Sequence, residues 1–150
     1  MSDQRADQYI LFTVAGTTYA LPSSQIAHVD LVEEITRVPN AAPFVDGVVF
    51  SRGQIIPAVN MRARFGFERA PIDLRTRFLV VNTGGRSIGL LVDACREFRR
   101  IEPSAIHPPA DTLGGTSETS IAGIATIDGR MIVILDLAAL LASKDPILAA

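Results

Sequence analysis

The side chains best suited to bond-making chemistry here are two histidines, His28 and His107, one cysteine, Cys95, and one adjacent carboxylate pair, Glu33-Glu34. A zinc site needs several nitrogen, sulfur or oxygen ligands at close spacing, and neither imidazole has such neighbours in sequence. Cys95 sits in the strand-like stretch Leu90 to Phe98, where a thiol serves as a small apolar filler rather than a nucleophile. General acid and base work asks for separated carboxylates in unequal environments, whereas adjacent acids in a polar connection are normally both solvated. Gly114-Gly115-Thr116-Ser117 lacks the lysine and spacing of a phosphate loop and reads as part of a surface loop, Ala110 to Ser120. No catalytic residue, metal ligand or cofactor site is expected, which leaves binding as the default activity.

One cluster has binding character by residue type: Arg62, Arg64, Arg69, Arg75 and Arg77, interleaved with Phe65, Phe67 and Phe78. Arginines beside aromatic rings can track a single nucleic-acid strand and stack its bases, so a nucleic-acid-binding β-barrel using Arg62 to Arg77 is the rival reading. Against it, Glu68 and Asp73 interrupt the charge, Phe65 and Phe78 fall at core positions, and the chain carries a formal charge of -2 and no tryptophan. No nucleic-acid partner is therefore expected. With 48% hydrophobic and 20% charged residues over 150 positions, the chain can close one core without disulfides or metal. Cys95 cannot form an internal bridge, Met1 to Gln8 lack the layout of an export signal, and no apolar run approaches the ~18 residues of a bilayer span. The expectation is a cytoplasmic protein with no direct membrane insertion.

Four hairpins position these residues. Tyr9 to Val14 and Thr18 to Leu21 flank Ala15-Gly16-Thr17, and Gly47 to Ser51 and Gln54 to Val59 flank Arg52-Gly53. Arg77 to Asn82 and Ser87 to Asp93 flank Gly84-Gly85, and Ile121 to Ile127 and Arg130 to Leu135 flank Asp128-Gly129. Such turn pairs supply the positive φ angles of tight hairpins. The hairpins are related in pairs: an offset of 76 places Gly47, Gly53, Ile56 and Asn60 on Gly123, Gly129, Ile132 and Asp136, and an offset of 69 places Tyr9, Gly16 and Leu21 on Phe78, Gly85 and Leu90. The chain reads as an internal duplication, each half running hairpin, strand, loop, hairpin, short helix. Asn60 and Asp136 are the expected caps of the two helices, which carry Met61 and Phe65 in one half and Leu137, Leu140 and Leu141 in the other. The fold class is all-β with short helices, organised as two small β-barrels sharing a core.

The run from Val45 to Arg62, with Val48-Val49-Phe50-Ser51-Arg52-Gly53-Gln54-Ile55-Ile56-Pro57-Ala58-Val59-Asn60 at its centre, resembles the signature of the CheW family, the coupling proteins of bacterial chemotaxis. Tyr9 to Phe12 with Tyr19 to Pro22, Arg86 to Asp93, and Gly123 through Asp128-Gly129-Arg130 to the Leu137 helix extend the likeness over residues 9 to 142. It implies a single CheW-like domain over 9–142 between tails 1–8 and 143–150, built as two SH3-like five-stranded β-barrel lobes around a shared hydrophobic core with a C-terminal helix. It also implies a non-catalytic scaffold, recruited to receptor arrays, whose partners are a chemoreceptor cytoplasmic tip and the regulatory, CheW-like domain of a histidine kinase.

Carried over residue by residue, the likeness makes Ile26, His28, Arg52 and Phe98 the candidate receptor-binding groove. Three departures stand out. The family's Val-x-Glu-Ile pattern appears as Ile26-Ala27-His28-Val29, so the acid that would pair with Arg52 is replaced by imidazole and that ion pair is expected to be missing. Ser51 stands for a customary Leu, and Asn60 for an Asp, the second change preserving the cap. A changed charge at an interface shifts partner preference, so His28 implies a coupling protein tuned to a non-standard receptor.

Overall fold

In all four hairpins both central turn residues have positive φ, as a two-residue turn matched to the right-handed twist of its strands requires: Ala15-Gly16, Arg52-Gly53, Gly84-Gly85 and Asp128-Gly129. The computed structural model describes residues 8–108 and 120–142. The expected tail residues 1–7 and 143–150 lie outside it, as does the Gly114 to Ser117 stretch. The first hairpin joins β1 (Gln8–Val14) to β2 (Thr17–Pro22), and the second joins β4 (Val45–Ser51) to β5 (Gln54–Asn60). The third joins β6 (Arg77–Thr83) to β7 (Arg86–Val92), and the fourth joins β10 (Ile121–Ile127) to β11 (Arg130–Leu135). Strands β3 (Ile26–Leu31), β8 (Ala94–Arg100) and β9 (Ile106–His107) and helices α1 (Met61–Arg64) and α2 (Leu137–Leu141) complete the described elements. The strand-like stretch expected over Leu90 to Phe98 breaks at Asp93, which separates β7 from β8.

The two halves exchange strands. One sheet runs β8-β1-β2-β11-β10-β9 and the other β3-β6-β7-β5-β4, and each is joined at its middle by a parallel pair, Ala20 with Ile134 in the first and Ala58 with Gly89 in the second. These two pairings are equivalent under the offsets of 69 and 76, so the duplication is a structural one. Neither sheet closes by backbone pairing among the described residues, which form open sheets of six and five strands where small five-stranded β-barrel lobes are expected. The physical reason is that the third strand of each half, β3 or β8, pairs with the opposite half and stops as an edge.

Local devices repeat as well. Asn60 Oδ1 accepts from the Ala63 amide and Asp136 Oδ1 from the Ala139 amide, both at 3.1 Å, so each helix carries the expected side-chain cap. Gly47 and Gly123 both sit at a bulge against a crossing segment. A Cβ on Gly47 would lie 2.1 Å from the Thr36 carbonyl oxygen, and one on Gly123 would lie 2.4 Å from Ile106 Cγ2, so a side chain is excluded where the chain passes over the hairpin. Three apolar clusters result. Leu11, Ala125 and Ile132 fill one lobe, Val80, Val49 and Ile56 occupy the equivalent places in the other, and Phe12, Leu21, Val59, Leu79, Leu90, Leu137 and their neighbours form a core to which both halves contribute. Each fully buried Phe or Leu of this set contributes about 1.5–3 kcal/mol of transfer free energy.

Candidate functional site

From His28 onward strand β3 alternates, with His28 and Asp30 half-buried on the face of Val80 and Phe78 and Val29 and Leu31 exposed on the other. A bulge between Ile26 and His28 turns Ile26 to the opposite face, opposite Val81. Ile26 packs on the shared core. His28 and Arg52 line one depression of about 320 Å³ to which all five strands of their sheet contribute, through Ser51, Ile56, Val80 and Ser87 among others. This is the mouth of the lobe. Phe98 is elsewhere: it stands on β8 of the other sheet, 72% exposed, and does not line that depression. The structure thus brings His28 and Arg52 together, sets Ile26 two residues away with its side chain largely spent on the core, and leaves Phe98 apart.

Arg52 nevertheless keeps a carboxylate partner in place of the acid missing at residue 28. Arg52 Nη2 donates to Asp30 Oδ1 at 2.9 Å. Period-two alternation puts residue 30 on the same face as residue 28, so a carboxylate one pleat further along reaches the guanidinium that a residue-28 acid would have met. Asp30 is the site residue that motif matching missed, and the strand period was the signal that could have found it. Phe50 and Ile55, directly paired across the hairpin beside Arg52, were also missed; they are 69% and 70% exposed, an apolar flank to the arginine.

The pair joins an edge strand to a hairpin tip. β3 lies at one edge of its sheet and the β4–β5 turn at the far side, so the ion pair fastens by side chains a seam that the backbone leaves open. The other lobe repeats it with the charges exchanged. Offsets of 76 and 69 carry Arg52 onto Asp128 and Asp30 onto Arg99, and Arg99 Nη2 meets Asp128 Oδ2 at 2.9 Å. A clasp at this place therefore belongs to the fold; cationic sign at the tip belongs to the Arg52 lobe alone. Arg52 has φ 51°, but Asp128 has φ 52° and Ala15 φ 51°, so the backbone strain follows from the turn type rather than from the site.

The arginine stretch disperses. Arg62 makes a two-oxygen contact with Asp93 at 2.7–3.1 Å, Arg64 donates to the Leu140 carbonyl and lies over the Phe44 ring, and Arg69 binds Asp46 and the Pro43 carbonyl. Phe65 stacks on Tyr19 and Phe78 is buried, which removes two of the three rings a base would need. Asp93 also accepts from the Ala15 amide at 2.8 Å, making it a node between the first hairpin turn and α1. Burial raises its pKa, but the Arg62 and Ala15 donors together outweigh that and hold its carboxyl below the usual value. Burial pushes the half-buried Cys95 thiol up, with nearby Arg77 opposing it less strongly, so the thiolate is disfavoured. Among the described residues no group of three metal-ligating side chains converges, and no helix is long and apolar enough to cross a membrane.

Residues 8–145 match the CheW-like domain. The chain belongs to the CheW family. The chemotaxis protein CheW of Klebsiella aerogenes is 24% identical over 138 residues, covering 92% of this chain and 83% of its own length. That of Helicobacter pylori is 30% identical over 128 residues, covering 85% and 77%. The crystal structure of the scaffolding protein TtCheW from Thermoanaerobacter tengcongensis superposes with a TM-score of 0.84 at 29% identity, covering 95% of this chain and 97% of that one. As a CheW protein the chain is a chemotaxis coupling and scaffold protein, and nothing in these likenesses favours a nucleic-acid role.

Proposed function

We propose that the chain acts without catalysis, in the cytoplasm and at receptor arrays, by holding a chemoreceptor cytoplasmic tip and the regulatory, CheW-like domain of a histidine kinase on one rigid body. The observation that carries this reading is the mouth of the β3–β7 lobe, where Arg52 is held by Asp30 and flanked by exposed Phe50 and Ile55. A pinned cation beside an apolar flank suits an amphipathic partner helix, because the apolar area supplies affinity and the charge fixes register. In this reading Arg52 and His28 meet the receptor tip, Ile26 supports the floor, and Phe98 on β8 serves a separate contact. Each lobe is read as a five-stranded, barrel-like unit whose seam is fastened by its clasp. His28 still departs from the family pattern, but Asp30 supplies the lost carboxylate, which narrows its effect to local receptor preference. The test is titration of receptor-tip fragment and kinase regulatory domain into wild type and Arg52→Glu. A receptor affinity lowered at least tenfold supports the reading; unchanged affinity removes Arg52 from the groove.

A further inference from the structure

A second surface, remote in sequence from the Arg52 turn, has recognition chemistry of its own. The segment between the halves, from Phe67 to Thr76, carries no regular structure, yet it is pinned. Asp73 accepts from the Arg75 amide at 2.8 Å, its own amide donates to Thr76 Oγ1 at 2.9 Å, and Arg77 Nη1 donates to the Leu74 and Thr76 carbonyls at 2.8 and 2.9 Å. A segment fixed in this way nevertheless presents Ile72 at 56% and Leu74 at 93% exposure. Pinned backbone beneath exposed apolar side chains is the arrangement that binds with little ordering cost.

Beside it lies a cleft of about 410 Å³ lined by Arg62, Arg75, Arg96 and Arg130 with Thr13 and Thr18, continuing past Arg75, Ala94 and Arg96 to Arg77 and Glu97. Its two carboxylates are already engaged: Asp93 by Arg62, and Glu97 by Arg130 at 3.1 Å. Three cations remain in excess. Among the described residues Arg96 meets no carboxylate, Arg77 meets only carbonyl oxygens, and Arg75 reaches Asp73 only at 3.5 Å with 81% of its side chain exposed. In a chain whose formal charge is -2, this local excess is not a consequence of overall composition.

We propose that Leu74 and the Arg75, Arg77 and Arg96 cleft form a second docking surface, separate from the Arg52 groove, for an acidic polypeptide segment that carries an apolar anchor. Arginine forks take carboxylates in pairs, and Leu74 supplies apolar contact that a bare polyanion has no means to use.

The test uses the full chain and a fluorescein-labelled peptide of alternating Glu and Leu, read by fluorescence anisotropy, beside an all-Glu peptide and a single-stranded oligonucleotide of the same length. Arg96→Glu and Leu74→Ser are both exposed changes that the fold should tolerate, confirmed by unaltered unfolding curves. The expected result is binding of the Glu-Leu peptide that falls at least tenfold in Arg96→Glu and about threefold in Leu74→Ser, and weakens with salt. The all-Glu peptide should bind less well, and receptor-tip affinity should be the same in wild type and Arg96→Glu. Absence of peptide binding by wild type, equal binding by Arg96→Glu, or an oligonucleotide bound as tightly as the Glu-Leu peptide would each overturn the proposal. None of these results bears on the Arg52 groove, whose own test is independent.

Discussion

Exchanging the charges of one clasp, Arg52→Asp with Asp30→Arg, separates what the fold needs from what a partner reads. The other lobe already contains the exchanged form, Asp128 at the turn and Arg99 on the edge strand, with the same 2.9 Å separation as Arg52 and Asp30. The Arg52 side chain is 56% exposed and that of Asp30 22%, so water screens the attraction: two unit charges about 4 Å apart gain about 1 kcal/mol in water. Cycles on exposed pairs return roughly 0.2–1 kcal/mol. Each single change should therefore destabilise by less than about 1.5 kcal/mol, including repulsion between like charges, and the exchanged double variant should return to within about 0.5 kcal/mol of wild type in urea unfolding. Receptor-tip binding should behave differently. The cation moves from the hairpin tip to the strand, so calorimetric titration of the double variant should show affinity lowered at least tenfold despite restored stability. Full affinity with restored stability would refute the reasoning, because the clasp would then be structural only. Failure of the exchange to restore stability would instead refute the equivalence of the two lobes.

Two further outcomes are expected. Gly47→Ala combines a φ of 147° with a Cβ contact of 2.1 Å to a backbone oxygen, whereas Gly123→Ala meets mainly a side-chain methyl at 2.4 Å. The first should cost about 2–4 kcal/mol in denaturant unfolding and the second clearly less, and equal costs would contradict the bulge geometry. Asp93 has a pKa lowered from 3.8 by donors that outweigh its burial, so its contribution to stability is fully present above that value and is lost as pH falls through the lower folded value. In acid titrations monitored by circular dichroism, wild type should lose its advantage over Asp93→Asn only below about pH 4, and an advantage that persisted into strong acid would contradict the assignment.

The hairpins were legible because each is punctuated by a turn pair whose second residue is glycine, and the caps were legible because Asn60 and Asp136 precede short apolar runs. The exchange of strands between halves was not, since the parallel pairings of Ala20 with Ile134 and Ala58 with Gly89 join segments far apart in the chain and leave no local pattern. That exchange also leaves the sheets open to backbone pairing, with side-chain clasps at their seams. At the candidate site, the resemblance led to Arg52 and His28, which share a depression, but a position-by-position comparison stopped at His28 and passed over Asp30, which strand alternation places on the same face. The same resemblance grouped Phe98 with them, although its strand belongs to the other sheet.

The central claim is that one chain joins a receptor to a kinase, and the most direct measurement is sedimentation of receptor-tip fragment, kinase and this chain, mixed together and in pairs. The account predicts that receptor and kinase sediment as one complex only when the chain is present, and that Arg52→Glu releases the receptor while leaving the kinase bound. A receptor–kinase complex that forms equally well without the chain would contradict it.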